Sequence, residues 1–220
     1  MFNGKKYKND ALSQLKKRWK IPCLVSLLGF AVVACMDVVS EICMPMKILS
    51  ICVFGMIFVA QLSVFFKIVN LKSADEKNPE NKISFKDFLG GFDDWLTSLL
   101  GILWFCLWTW LWALLFFIPG VVKSISYSMM FWVISENPGI SVKKAMNISK
   151  VMTSGHKGEL FCLSMSFFGW FLLCCLSCGV GFIWLHPYFA TTMTNAYYDL
   201  KIMAFESKKL KPADFDAVKN

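Results

Sequence analysis

The 220-residue chain holds only two histidines, the side chains that ordinarily titrate near neutral pH. His156 stands in Gly155-His156-Lys157-Gly158-Glu159, where a His near a carboxylate could serve acid–base chemistry. The same string reads more simply as a capped turn at a membrane surface. His156 and Lys157, with Lys143 and Lys144 upstream, would then meet anionic headgroups. His186 precedes Pro187 at the start of an apolar run whose second half is polar. There Thr191, Asn195 and Tyr198 share one helical face with Thr194, and Asp199 is adjacent. In a shorter apolar segment Lys123 and Tyr127 lie one turn apart, as do Ser124 and Ser128. Polar groups inside apolar helices are costly and so need a reason. One reason is a polar pocket formed by Lys123, Ser124, Tyr127, Ser128, His186, Thr191, Asn195 and Tyr198. The other is hydrogen bonding between packed helices.

No constellation specifies a reaction. Walker, dinucleotide-fingerprint, H-E-x-x-H and G-x-S-x-G strings are absent from the sequence. Four of the nine cysteines, Cys23, Cys52, Cys106 and Cys162, lie in apolar runs, where Cys acts as a small hydrophobe. Cys175 and Cys178 have C-x-x-C spacing but no second pair, and an apolar helix end does not activate a thiolate. Val32-Val33-Ala34-Cys35 has the look of a lipoprotein processing box, but the basic leader is long and the later apolar runs would be redundant anchors. Neither a metal nor a cofactor is implied.

The elements carrying these residues are set by hydropathy. Hydrophobic residues make up 56% of the chain and charged residues 17%, which excludes a disordered chain. The apolar residues fall in runs near the ~20 residues that a bilayer-spanning helix requires. These runs are 21–39, 48–66, 95–118, 160–177 and 182–204, with the shorter 121–135 after Pro119-Gly120, which reads as a turn. The segment 121–135 fits a short span, a re-entrant segment or an interfacial helix. If it spans, 21 of the 23 basic residues fall on one side, and the positive-inside rule favours that layout. The net charge of +8 flanks the apolar runs, so it points to lipid headgroups rather than nucleic acid.

The expected fold is therefore all-α, a polytopic transmembrane bundle of about six spans over residues 21–204. A basic segment at 1–20 precedes it, a basic tail at 205–220 follows it, and both termini are cytoplasmic. A short amphipathic segment precedes each pair of spans. Leu12, Leu15 and Trp19 mark the first. Ser84 and Asp87, resembling a capping box, with Phe85, Phe88, Leu89 and Phe92, mark the second. Ser141 as cap, with Val142, Ala145, Met146, Ser149 and Met152, marks the third, and Gly155 ends it. Ile83-Ser84-Phe85-Lys86 recurs as Ile140-Ser141-Val142-Lys143, which suggests a triplicated unit of interfacial helix and hairpin.

Several strings carry a resemblance. They are Phe117 to Met129, Glu136-Asn137-Pro138, Ser149-Lys150 with Gly155-His156-Lys157, Ser166 to Trp170, Gly179-Val180-Gly181, and Pro187-Tyr188 with Tyr197-Tyr198. Together with Ala11, Leu15-Lys16 and Trp19 they resemble the bacterial integral-membrane family known as domain of unknown function 975, over about residues 11–200. The chain departs from that pattern in its many cysteines and in His186, where Asn is expected. The resemblance implies a multi-pass protein of the bacterial cytoplasmic membrane and supplies no catalytic residues. The middle and C-terminal part resembles, more distantly, the membrane portion attached to some glycerophosphodiester phosphodiesterases, which implies a lipid-facing role. The expected function is thus a non-enzymatic protein that contacts lipids or membrane-active peptides. A small transporter or channel, with its path between 121–135 and 182–204, and an intramembrane lipid-modifying enzyme are the alternatives.

Overall fold

The structure, a computed structural model, describes residues 2–16, 18–40, 45–70, 85–92, 95–115, 117–177 and 179–215. These residues are mostly helical, with no strand among them. In chain order the helices are α1 (Gly4–Leu15), α2 (Lys20–Ser40), α3 (Pro45–Asn70), α4 (Phe85–Gly90), α5 (Trp95–Leu115) and α6 (Phe117–Ser128). They continue with α7 (Met130–Glu136), α8 (Val142–Thr153), α9 (Lys157–Met165), α10 (Phe168–Leu176) and α11 (Phe182–Glu206), followed by a 3₁₀ turn at Pro212–Phe215.

Each start and stop has a local cause where the chemistry is visible. Ser141 caps α8 by accepting the Lys144 amide, and Gly155 follows the helix end in the left-handed region at φ +98°. Asn3 caps α1 by accepting the Lys6 amide. Ser84 of the expected capping box, and Cys178 of the C-x-x-C pair, lie outside the described residues.

Two apolar runs differ from expectation in being broken. The run 121–135 is part of two helices, α6 and α7, separated at Met129. Pro119-Gly120 does not form the turn, because Pro119 falls in the first turn of α6, where a helix does not require the missing N–H. The run 160–177 is split into α9 and α10 at Ser166-Phe167. Backbone at each break gains a partner from an amphipathic helix. The Ser126 carbonyl accepts from Ser149 Oγ at 2.8 Å and Thr153 Oγ1 at 3.4 Å, both on α8. The Ser166 carbonyl accepts from Lys8 Nζ of α1 at 3.3 Å, and that ammonium lies 4.4 Å from the Phe167 ring centre. An apolar bundle tolerates an interrupted helix where side chains satisfy the freed backbone in this way.

The three short amphipathic helices dock in a cyclic order. Helix α4 packs on α3, where Ser63 Oγ donates to the Asp87 carbonyl and Lys67 pairs with both Asp87 carboxylate oxygens at 2.9 Å. Helix α8 packs on α6 and α7. Helix α1 closes the ring by packing on α11, beside α9. Each unit's leading helix thus seats on the hairpin of the unit before it, and the first seats on the last. The shared core lies where they converge, built from Leu62, Phe65 and Ile68 of α3, Met130 and Ile134 of α7, and Tyr197 and Leu200 of α11.

Among the described residues two stretches are long and apolar enough to cross a membrane, Val53–Asn70 and Lys157–Leu176. A third would be α1 with Lys20–Met36 if that pair, bent by 102°, were one span. Six were expected. Helices α6 and α7, on either side of Met129, are each too short to qualify by length.

Candidate functional site

The eight polar residues expected to share a pocket point in several directions. Ser124 and Ser128 line a cavity of about 280 Å³ with Phe105, Trp132, Leu160 and Met193, between α6 and α11. Their hydroxyls donate back to Val121 and Ile125 carbonyls of their own helix. Lys123 is half-buried and Tyr127 buried in α6. Thr191 is fully buried and donates to the Pro187 carbonyl. Asn195 turns to α1, where it exchanges hydrogen bonds with Gln14: Asn195 Nδ2 to Gln14 Oε1 at 2.9 Å and Gln14 Nε2 to Asn195 Oδ1 at 3.2 Å. Tyr198 meets Phe66 of α3 edge-on. The α6–α11 cleft thus brings together the two serines, while Asn195 and Tyr198 serve the contacts of α11 with α1 and α3.

His186 faces a different neighbour. Its Nδ1 lies 2.9 Å from Ser26 Oγ of α2, and its ring meets Phe30 and Phe65 edge-on at 5.5 and 5.8 Å. Close by, Gln61 of α3 donates Nε2 to the Val25 carbonyl at 3.0 Å. Gly29 leaves the space that Gln61 occupies, since a Cβ there would collide with the amide. Ser26, Gln61 and His186 line one cavity of about 170 Å³, otherwise walled by residues that include Phe54, Phe58 and Trp132. Trp132 is itself fixed by its Nε1 donating to Thr194 Oγ1 at 3.0 Å. The cavity is where the three units meet, with walls from α2 and α3, from α7, and from α11.

Sequence reasoning named His186 and missed Ser26 and Gln61. The signal was present: both are polar residues inside apolar runs, which is the mark of a packed or functional group. Glu136 was also missed as a site residue. At the end of α7 it accepts from Tyr197 Oη at 2.6 Å and from Lys201 Nζ at 2.5 Å, anchoring α11 at the end remote from His186.

The expected headgroup residues lie on the periphery. Lys143 is exposed, with its ammonium 5.5 Å from the Trp104 ring centre. Lys144 and Lys157 are half-buried near the starts of α8 and α9. His156 stacks on Phe2 and holds Glu159 Oε2 at 2.6 Å from Nδ1. That pair closes the first turn of α9, since Glu159 is one turn from His156. No group of three or more His, Cys, Asp or Glu side chains that could hold a metal ion occurs among the described residues.

No curated protein and no solved structure matches the chain. A family model does match, over a narrower stretch than the resemblance in sequence suggested: it begins at α6, ends near the close of α11, and contains Trp132, His186, Thr194 and Asn195. Over residues 117–204 the chain matches the model of the family described as Protein of unknown function (DUF975).

Proposed function

We propose that the protein is a non-enzymatic, integral membrane protein whose work is to contact lipids. The observation that carries this reading is a set of large apolar side chains left about half or more exposed. Leu107, Trp110 and Leu111 of α5, Leu172, Leu173 and Leu176 of α10, and Trp184 of α11 are all exposed, Leu176 to 81% and Trp110 to 72%. A water-facing monomer rarely exposes so many large apolar side chains, and lipid is the solvent that suits them.

In this reading the first hairpin crosses the bilayer, and the second, seated on it through Gly55 and Ile102, crosses beside it. The third turns back inside. Phe182, the first residue of α11, packs on Phe30, the eleventh of the 21 residues of α2. Ten residues of α2 therefore run on past the tip of the third hairpin. The ammonium of Lys8 at Ser166-Phe167 marks a polar boundary midway along α9–α10. Beyond it, α10 is only about 13 Å long at about 1.5 Å per residue, roughly half of a bilayer core. A hairpin that dips and returns keeps every basic cluster on one face, so it satisfies the charge pattern as well as six full spans do.

The test is a photoactivatable phospholipid in reconstituted vesicles. Labelling should concentrate on α5 and α10. Labelling no heavier than on a water-soluble protein added to the same vesicles would refute the proposal.

A further inference from the structure

The cavity between Ser26, Gln61 and His186 has the character of a ligand site, and we propose that it receives the uncharged, hydroxylated head of a single-chain amphiphile such as a monoacylglycerol. This rests on the membrane reading above and names the lipid class.

Three observations converge. The first is chemistry. Ser26 is wholly buried and Gln61 is 5% exposed, yet both line the void together with the His186 ring. Ser26 already pairs with His186 and Gln61 with the Val25 carbonyl, yet an apolar cavity needs no such residues in its wall. The three offer a hydroxyl, an amide and an imidazole, with no charged side chain among the cavity's lining residues. Such a set matches hydroxyl or ester oxygens and gives nothing to balance a phosphate or carboxylate.

The second is size. At about 170 Å³ the cavity exceeds the roughly 150 Å³ void known to admit benzene, so a glycerol-sized head fits. The third is an adjoining place for the chain. A groove of about 400 Å³ lies on the other side of Phe30, His186 and Phe189, lined further by Met165, Phe168 and Phe171. It runs between α9–α10 and α11, and its lining is almost wholly apolar. Phe30, His186 and Phe189 belong to both spaces, so the head and tail of one molecule would meet at His186. Phe30, 39% exposed, is the wall shared by the two spaces that the chain would have to pass. A site at the meeting point of repeated units, within the bilayer, is also where membrane proteins built from repeats place their ligands.

The experiment uses the full chain in lipid nanodiscs with a photoactivatable, clickable monoacylglycerol. Label is expected on peptides holding Phe30 and the 182–189 stretch. Unlabelled monoacylglycerol should compete, and a fatty acid of equal chain length should compete at least about tenfold less well, the factor that a lost hydrogen bond or an unbalanced charge supplies. His186→Phe should reduce the label there about tenfold, with labelling of α5 and α10 unchanged. Should His186→Phe fail to fold, Ser26→Ala removes only a hydroxyl and should still weaken the label severalfold. Equal competition by the fatty acid, or labelling indifferent to the variant that folds, would overturn the proposal. Label confined to Leu107, Trp110 and Leu176 would also overturn it while leaving the membrane reading intact. No label above a water-soluble control would remove both.

Discussion

Gln14 and Asn195 face each other as a reciprocal pair of amides, 181 positions apart in sequence, each donating to the other. The pair pins the first helix of the chain to the middle of the last. Lys6 and Asp199, 3.8 Å apart, extend the contact by one turn. Helix α1 is therefore a structural closure of the bundle as well as a basic leader.

Breaking that closure should be measurable. Gln14→Ala and Asn195→Ala should each lower stability, and the double variant should cost less than the sum. The expected coupling is about 1–2 kcal/mol, because two neutral hydrogen bonds are exchanged. Thermal unfolding in detergent of the four proteins gives the cycle. Strict additivity would mean that the amides do not recognise each other.

Glu136 should matter more. It is about one-fifth exposed, as is Lys201, and it also accepts the Tyr197 hydroxyl. Glu136→Leu strands a cation and a phenol together, so we expect a loss of about 3 kcal/mol, in the range for removing one partner of a half-buried pair. Glu136→Gln keeps an acceptor for Tyr197 and should cost less. The melting temperatures of the two variants check this order.

Gly91 and Gly90 are adjacent and should behave oppositely. A Cβ at Gly91 would stand 2.5 Å from the Ala60 Cα, whereas a Cβ at Gly90 would meet nothing within 4 Å. Gly91→Ala should separate α4 from α3 and cost about 1–3 kcal/mol, the usual range for overpacking. Gly90→Ala should be neutral or slightly stabilising. Similar melting temperatures for both would refute the close α3–α4 approach.

Tyr7 gives α1 a pH dependence. The ring is 1% exposed, and burial pushes its phenol above the ordinary 10.0, with Asp199 adding to the shift. A raised folded pKa means that this stabilising contribution is complete below pH 10.0 and is lost as pH climbs through the folded value. The melting-temperature difference between the wild type and Tyr7→Phe should hold steady below pH 10 and move against the wild type above it. A difference constant to pH 12 would contradict the burial of Tyr7.

Much of this arrangement was legible in the sequence because it follows from hydropathy and capping. Ser141, Gly155 and the apolar face of α8 could be read directly, since caps and helical periodicity act within a few residues. The breaks at Met129 and Ser166 could not. They depend on Ser149, Thr153 and Lys8 arriving from other helices to satisfy freed carbonyls, a tertiary effect with no local mark. The grouping of Ser26 with His186 was hidden for the same reason: 160 residues separate them, and each alone looks like a polar residue packed in a helix. The charge pattern gives an expectation for which segments share a face but none for how deep each hairpin reaches, because a shallow hairpin and a full one leave the basic clusters in the same place.

The depth of the third hairpin can be read by thiol labelling. In a chain with all nine cysteines replaced, single cysteines at Ser40 and Ser177 would mark the ends of α2 and α10. A membrane-impermeant maleimide added from outside intact cells should label Ser40→Cys and leave Ser177→Cys untouched. Equal labelling would restore six full spans.

The most direct measurement of the central claim is flotation of the expressed protein after an alkaline carbonate wash of membranes. With Leu107, Trp110, Leu172, Leu176 and Trp184 solvated by acyl chains, the protein should rise with the lipid and leave it only on addition of detergent. Recovery in the washed supernatant, monodisperse without detergent, would contradict the account.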